Sequence, residues 1–295
     1  MKLLRFGKSG SERPGILDHD GAVRDISALT SDIEPGFLSG PDFDRLRSLD
    51  LASFPVAPAD ARLAAPITGT SKIICIGLNY ADHARESGLP VPDRPTIFMK
   101  ATTAICGAND DLILPRNSSA VDWEVELAVV MSREGSYIGS GEAMQHVAGL
   151  CIGIDFSERN FSEEGGGQWT KGKSADRFAP LGPWLVTLEE IANPQALGIW
   201  LEVNGRRFQS SNTAAMIVNI ADLISYVSQF MRILPGDAIL TGTPSGVGLG
   251  QQPPVYLHEG DIVRAGITGL GEQSHRAITW QSIQGNEQKR RPAVA

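Results

Sequence analysis

The sequence lacks the features of an exported or membrane-inserted protein. No stretch approaches the run of about 20 apolar residues that a helix needs to cross a bilayer. The N-terminus, Met-Lys-Leu-Leu-Arg-Phe-Gly, reaches charge and glycine too soon for the apolar segment of a secretory signal. Cysteine is scarce: Cys75, Cys106 and Cys151 lie far apart, and Cys75 and Cys151 fall in apolar runs typical of reduced core residues. These absences favour a cytoplasmic protein without a membrane partner.

Positive charge is also in short supply. The chain has 26 Lys and Arg against 34 Asp and Glu, a formal net charge of −8. Because no basic stripe is interleaved with aromatic residues, nucleic acid is not an expected partner. The phosphate-loop order G-x-x-x-x-G-K-[ST] and the hydrolase elbow G-x-S-x-G are missing. Gly246-x-Gly248-x-Gly250 has the wrong spacing for a dinucleotide turn, and no βαβ unit surrounds it.

The composition that remains is that of a globular protein, with 42% hydrophobic and 20% charged residues in 295. Residues 1–65 are predicted to form a small N-terminal α+β domain. Strands are expected over residues 2–6, 14–17 and 22–25, and a helical patch is expected over 42–51. The proline-rich run 54–58 is predicted to be a linker, since repeated prolines disfavour both helices and central strands.

Residues 66–283 are predicted to form a second, β-rich α+β domain. The clearest helix covers residues 220–230, where apolar residues recur at helical spacing. Asn204-Gly205 predicts a two-residue hairpin turn. Residues 284–295 are polar and are predicted to be a disordered tail. Strands are predicted over residues 73–76, 96–99, 125–131, 150–154, 185–188, 197–203, 238–241 and 262–265.

Acidic residues at two predicted strands indicate a metal site. Glu124 and Glu126 lie two apart, so on a strand they share a face with Cβ atoms about 7 Å apart. Residues 127–131 are all apolar and imply burial, so either one glutamate is protonated or a cation lies between the two. A solvated strand face is the open alternative. Asp155 ends the apolar run 150–154, where an isolated aspartate is also a common turn former. Three carboxylates without His or Cys favour Mg²⁺ or Mn²⁺, leave Ca²⁺ open and disfavour zinc.

Five segments of the chain form a set of motifs in a fixed order, namely residues 76–83, 98–100, 122–127, 171–174 and 240–248. In this order they resemble the fumarylacetoacetate hydrolase family over about residues 70–280. The resemblance implies the family's mixed β-sandwich or β-roll, and Glu124, Glu126 and Asp155 as the ligands of Mg²⁺ or a similar ion.

Residues 166–173 and 181–186 resemble one bacterial branch of that family. The branch hydrolyses 2,4-diketo-3-deoxy sugar acids, such as 2,4-didehydro-3-deoxy-L-rhamnonate or the fuconate isomer. The resemblance implies a hydrolase of carbon–carbon bonds in ketonic substances, which cleaves the C3–C4 bond to release pyruvate and a small hydroxy acid such as lactate. It also implies a role in sugar-acid catabolism and a homodimer.

The resemblance assigns catalytic roles to three further residues. His83 and Glu86 are three apart, on one side of a short predicted helix, and are predicted to be a general-base dyad. Their spacing alone is equally that of an exposed, charged helical turn. Lys173, in a glycine-rich stretch, is predicted to bind an oxo or carboxylate oxygen of the substrate. Lys171 is a nearby rival that is expected to face solvent.

Three residues are predicted to bind the substrate. Arg159 is expected to be a second cation near the site. Thr243 is expected to bind the substrate carboxylate through its hydroxyl or its backbone N–H. Many relatives carry Gln where this chain has Ser162, so Gln168 is predicted to contact the distal end of the substrate instead.

Other activities stay open. Decarboxylation of oxaloacetate and tautomerisation of oxo acids could use the same metal site without an activated water. In a different class, the chain could be a non-catalytic binding protein whose cation only braces a β-sandwich.

Overall fold

The N-terminal section is built from short strands and two short helices. The computed structural model describes residues 1–283, so the predicted tail, 284–295, lies outside the described residues. The predicted helical patch over 42–51 is one short helix followed by 3₁₀ turns at Leu46–Ser48 and Leu51–Ser53. In chain order the elements are β1 (Lys2–Phe6), β2 (Arg13–Leu17), β3 (Val23–Asp25), α1 (Pro35–Leu38), α2 (Pro41–Arg45) and β4 (Leu63–Ala64).

In the rest of the described chain strands outnumber helices, and the helices are short. Its elements are β5 (Ile73–Gly77), α3 (Ala81–Glu86), β6 (Thr96–Lys100), β7 (Ile105–Cys106), β8 (Leu112–Leu114), β9 (Val121–Asp122), β10 (Val125–Met131), β11 (Val147–Ile154), β12 (Ser157–Glu158), α4 (Arg159–Gly167), α5 (Trp169–Lys173), β13 (Ala179–Val186), β14 (Gly198–Val203), β15 (Arg206–Asn212), α6 (Ile220–Val227), β16 (Ala238–Leu240), β17 (Ile262–Ile267) and β18 (Gly271–Thr279). This arrangement confirms the predicted β-rich α+β fold.

Two sheets contain most of the strands. Within residues 1–283, the larger has the order β3-β2-β1-β13-β11-β10-β16-β5-β6, with β4 beside β1 and β7 beside β13. The smaller has the order β15-β14-β17-β18-β8, and it contacts the larger where β18 meets β13. Strands β9 and β12 form a separate pair. No helix among residues 1–283 is long and apolar enough to cross a membrane.

The centre of the larger sheet is fully buried. Every residue of β10 and of β11 is buried, which agrees with their nearly continuous apolar sequence. Burying each large apolar side chain contributes about 1.5–3 kcal/mol. The carboxylates at the ends of these strands are therefore held by a rigid, well-packed core.

Two local predictions are confirmed. Asn204 and Gly205 both have positive φ, 51° and 78°, and Val203 pairs with Arg206, as a two-residue hairpin turn requires. Helix α6 begins where predicted, after Asn219 caps it by accepting the N–H of Asp222, but it ends at Val227 rather than at 230.

The N-terminal section shares its sheet with the rest of the chain. Strand β1 pairs with β2 on one side and with β13 on the other, through Lys2–Val186 and Leu3–Leu185. The domain boundary after residue 65 stays a prediction.

Candidate metal centre and active site

Three buried carboxylates meet at one end of the larger sheet. Glu124, Glu126 and Asp155 each offer one oxygen, and these oxygens all lie within 4.8 Å of one another. The three residues are 5%, 1% and 0% exposed. The predicted trio therefore converges at a single point in the interior.

The sheet register explains the convergence. Strands β10 and β11 are antiparallel with Val125 opposite Ile154, so Glu124, just before β10, lies beside Asp155, just after β11. The backbone N–H of Asp155 donates to the carbonyl of Glu124 at 2.8 Å. Glu126 follows two residues later, where the strand's alternation returns a side chain to the same face.

Three cations surround two of these carboxylates. Lys173 Nζ lies 2.9 Å from Glu124 Oε2 and 2.5 Å from Asp155 Oδ2. Lys100 Nζ lies 2.5 Å from Asp155 Oδ1 and also donates to the carbonyl of the next residue at 3.0 Å. Arg159 contacts Glu124 Oε1 at 2.6 Å. Burial disfavours the charged form of Lys173, but Asp155 and Glu124 outweigh it and raise the pKa of Lys173 above its ordinary value. These carboxylates therefore favour the ammonium form of Lys173, which is a hydrogen-bond donor.

Glu126 differs from the other two carboxylates because no described side-chain cation neutralises it. Its Oε2 accepts one backbone hydrogen bond, from Gly242 N–H at 2.7 Å. Gly242 has φ +96°, and a Cβ there would lie 2.7 Å from Asn79 Cβ, so glycine is needed at this donor. Burial, Asp155 and Glu124 all raise the pKa of Glu126 well above its ordinary value. Burial also acts on Glu124, but Lys173 and Arg159 outweigh it and lower the pKa of Glu124.

The cluster is thus short of positive charge and fits a divalent ion. Four carboxylates face three cations, which leaves one net negative charge when all are ionised; the groups are Asp122, Glu124, Glu126 and Asp155 against Lys100, Lys173 and Arg159. A divalent cation beside Glu126 would bring the total to one positive charge, which an anionic substrate would balance. The donors are all carboxylate oxygens, the set that hard cations such as Mg²⁺ and Mn²⁺ prefer.

Sequence reasoning gave no role to two residues of this cluster. Asp122 is fully buried and accepts two hydrogen bonds from the Arg159 guanidinium, at 2.7 and 2.9 Å. It also accepts two hydrogen bonds from backbone N–H groups of the loop after β16. Asp122 therefore fixes the position of the Arg159 guanidinium. Lys100 holds Asp155. The sequence could have identified Lys100, because a lysine at the end of an apolar strand needs an anionic partner if it is buried.

The predicted dyad lies on α3, beside the carboxylates. His83 is 7% exposed, and its Nδ1 lies 3.5 Å from Glu86 Oε2. Both oxygens of Glu86 instead accept the N–H of Gly246, at 2.9 and 3.0 Å. Asp82 accepts the N–H of His83 at 2.9 Å and the hydroxyl of Ser245 at 2.9 Å. Helix α3 is therefore held to the loop 245–246 by hydrogen bonds. The His83 and Glu86 side chains are adjacent but are not hydrogen-bonded to each other.

The hydroxyl of Thr243 is already engaged by the fold. It donates to the carbonyl of Val125 at 2.8 Å and accepts from Gln209 Nε2 at 2.8 Å. The sequence predicted that either the hydroxyl or the backbone N–H of Thr243 binds the substrate carboxylate. Because the hydroxyl is engaged, the backbone N–H is the better candidate.

A cavity of about 290 Å³ opens onto the cluster, near the lower end of the usual range for ligand sites. Its lining includes most of the predicted site residues, namely His83, Glu124, Glu126, Arg159, Lys173 and Thr243. Gln168 is exposed and lies outside this lining. Lys171 is exposed, as predicted, and its Nζ donates to the carbonyl of Glu164 at 2.9 Å. A larger cavity of about 690 Å³ contains none of the predicted site residues.

Comparisons with known proteins agree with this geometry. Residues 72–277 match the family described as fumarylacetoacetate (FAA) hydrolase, C-terminal. A Burkholderia multivorans protein, named only as an unconfirmed hydrolase, is 51% identical over 274 residues, which cover 92% of this chain and 97% of that protein.

Two solved structures show the range of activities among similar folds. A 2-hydroxyhepta-2,4-diene-1,7-dioate isomerase from Mycobacterium marinum is 33% identical, with a TM-score of 0.74 over 95% of this chain and 99% of that one. A maleylpyruvate hydrolase from Sphingobium sp. SYK-6, in complex with manganese(II) and pyruvate, is 28% identical, with a TM-score of 0.78 over the same shares, 95% and 99%. The match to the family over most of the chain, together with the close relative, shows that this chain belongs to the fumarylacetoacetate hydrolase family.

Proposed function

We propose that the chain is a divalent-metal-dependent hydrolase that cleaves the C3–C4 bond of a 2,4-diketo-3-deoxy sugar acid. The products would be pyruvate and a small hydroxy acid such as lactate. The observation that carries the proposal is Glu126, a buried carboxylate within 4.8 Å of two others, with no cation of its own among residues 1–283. Burying such a group in its ionised form is costly unless a cation joins it.

Glu124, Glu126 and Asp155 would hold the ion, with Mg²⁺ as the expected metal and Mn²⁺ or Ca²⁺ as alternatives. The manganese and pyruvate in the Sphingobium hydrolase complex support this assignment. When bound, the cation would polarise the 2-oxo group of the substrate and stabilise negative charge on its oxygen.

The residues of the chain would supply the remaining chemistry. Glu86 would orient His83, and His83 would take the proton of a water that adds to C4. Breakage of the C3–C4 bond then leaves the enolate of pyruvate, whose oxygen would accept a hydrogen bond from the Lys173 ammonium. Protonation at C3, by the proton that His83 took from the water, gives pyruvate and restores His83. The Thr243 N–H and Arg159 would bind the substrate carboxylate.

A coupled pyruvate assay tests the proposal. The purified chain is offered a panel of 2,4-dioxo-3-deoxy acids with EDTA and with added Mg²⁺. We expect pyruvate only with the metal, and we expect Glu126→Gln, which keeps the shape of the side chain, to lose activity. Glu164→Gln is the matched control, because Glu164 is exposed and outside the cavity lining. No pyruvate from any member of the panel would refute the proposal.

The separation of His83 from Glu86 favours a second candidate. At 3.5 Å the two groups are not hydrogen-bonded, so a reaction without an activated water, such as oxaloacetate decarboxylation or oxo-acid tautomerisation, suits the observed geometry. His83→Ala separates the candidates, since it should abolish hydrolysis but spare the other reactions. We also propose a homodimer, which sedimentation of the purified protein would check.

A further inference from the structure

The part of the cavity beyond the carboxylates is apolar. Phe98 and Trp169 meet edge to face with ring centroids 5.3 Å apart, and Lys173 Nζ lies 4.8 Å from the Phe98 ring centroid. The two rings therefore lead from the Lys173 ammonium into an apolar region. The apolar side chains of the lining are Ile76, Leu78, Leu89, Phe98, Trp169 and Leu249.

The lysine and the arginine of the lining are already paired with carboxylates. Arg159 is held by Asp122 and Glu124, and Lys173 by Glu124 and Asp155. Both lie at the end of the cavity where the carboxylates converge. A negative charge at the far end of a substrate would thus meet no unpaired Lys or Arg in the described lining.

The charge that does face the outer part of the cavity is negative. Glu163 lines the cavity, is exposed, and forms no ion pair among residues 1–283. The neighbouring Ser162 offers no donor, because its hydroxyl donates to the carbonyl of Glu158 at 3.1 Å within helix α4.

We infer that the substrate is a 2,4-dioxo monoacid with an uncharged, apolar-ended tail, and that Glu163 determines this specificity by repelling a distal carboxylate. The inference rests on the proposed function and adds to it the chemical class of the tail. A methyl-ended tail would bury its carbon atoms against the apolar side chains. Each buried methylene is worth about a fourfold gain in binding. A tail ending in a carboxylate would instead bring a second negative charge toward the Glu163 carboxylate.

Two substrates of matched shape test the inference. In 7-methyl-2,4-dioxooctanoate the tail ends in two methyl groups, and in 2,4-dioxoheptanedioate a carboxylate takes their place. Cleavage of C3–C4 in either releases pyruvate. With Mg²⁺ present, we expect kcat/KM for the monoacid to exceed that for the diacid about tenfold or more, mainly through KM, since the repulsion acts on bound substrate and transition state alike.

Glu163→Lys should lower the ratio of the monoacid kcat/KM to the diacid kcat/KM at least tenfold, because a lysine would attract the distal carboxylate that Glu163 repels. Glu164→Lys is the matched control, because it adds the same charge one residue away, outside the cavity lining, and should leave the ratio unchanged. An equal response of both variants would mean that general surface charge, and not Glu163, sets the preference, and would overturn the role of Glu163.

A binding measurement separates this inference from the proposed function. The 2-oxo acids 7-methyl-2-oxooctanoate and 2-oxoheptanedioate lack the 4-oxo group and cannot be cleaved at C3–C4, so their effect on the melting temperature reports binding alone. Pyruvate from both dioxo acids with the diacid equal or better would overturn the tail inference and leave the hydrolase standing. If neither dioxo acid yields pyruvate, the hydrolase proposal fails for these substrates. In that case a larger stabilisation by the mono-oxo monoacid still supports the tail inference, and an equal or smaller one overturns it.

Discussion

Replacing Lys100 by methionine tests how far the buried acidic cluster depends on its own lysines. Lys100 and Asp155 both have fully buried side chains and meet at 2.5 Å, and Lys100 also donates to the carbonyl of Phe156 at 3.0 Å. Methionine keeps most of the length of the side chain and removes the charge and the donor. Removing one partner of a buried ion pair costs about 3–5 kcal/mol. Because Asp155 keeps its contact with Lys173, we expect a loss near 3 kcal/mol.

Added metal should partly reverse this loss. Without Lys100 the ionised cluster carries one more negative charge, so a divalent cation should bind the folded variant more tightly than it binds the wild type. Ligand binding to the folded state stabilises it by RT ln(1 + [L]/Kd), about 2.7 kcal/mol at 100 times Kd. At the same Mg²⁺ concentration the variant should therefore gain more stability than the wild type.

The assay is urea denaturation of both proteins, in EDTA and in Mg²⁺. Lys171→Met is the matched control, because Lys171 is exposed and lies 3.7 Å from Glu164, a surface pair worth about 0–1 kcal/mol. The reasoning is wrong if Lys100→Met stays within about 1 kcal/mol of the wild type in EDTA, or if Mg²⁺ stabilises the variant less than the wild type.

Three further predictions concern the loop over the site and the response to acid. Asp82→Ala and Ser245→Ala should each lower kcat. Both remove the same hydrogen bond, from the Ser245 hydroxyl to Asp82, so the double variant should show a coupling energy of about 1 kcal/mol in kcat/KM. Strictly additive effects would contradict this contact. Gly246→Ala should destabilise the protein by about 2 kcal/mol or more. The reason is that φ of Gly246 is +106° and the new Cβ would lie 2.0 Å from the carbonyl oxygen of Phe208 in β15. Thermal melts check this, and an unchanged melting temperature would contradict it. Burial opposes ionisation of Asp110, but hydrogen bonds from Arg62 and from the Gly107 N–H, together with the charge of Arg62, outweigh it and lower its pKa from 3.8. This contribution to stability is present above pH 3.8 and is lost as the pH falls through the lowered value. Asp110→Asn should flatten the stability curve below pH 3.8, and an unchanged acid limb would contradict the assignment.

Local patterns predicted much of the fold and part of the site. The buried strand β10 was predicted with its observed bounds, because a run of apolar, partly β-branched residues has few other stable arrangements. His83 and Glu86 lie on one short helix, as their spacing indicates. Gln168 was predicted to contact the substrate only because many relatives carry Gln where this chain has Ser162. It is exposed and lies outside the cavity lining, so its role stays a prediction.

The sequence by itself determined many of the strands, including the buried β10, and that Glu124 and Glu126 share one strand face, but it missed others such as β8 and β18. Only the tertiary structure decided that Asp155 lies beside Glu124, that Lys100 from β6 holds Asp155, and that Glu126 is left without a cation. The physical reason is the distance along the sequence over which each effect acts. Periodicity and propensity act over a few residues, whereas strand order and register are set by packing between segments distant in sequence, and the charge balance of a buried cluster depends on every side chain that the packing brings to it.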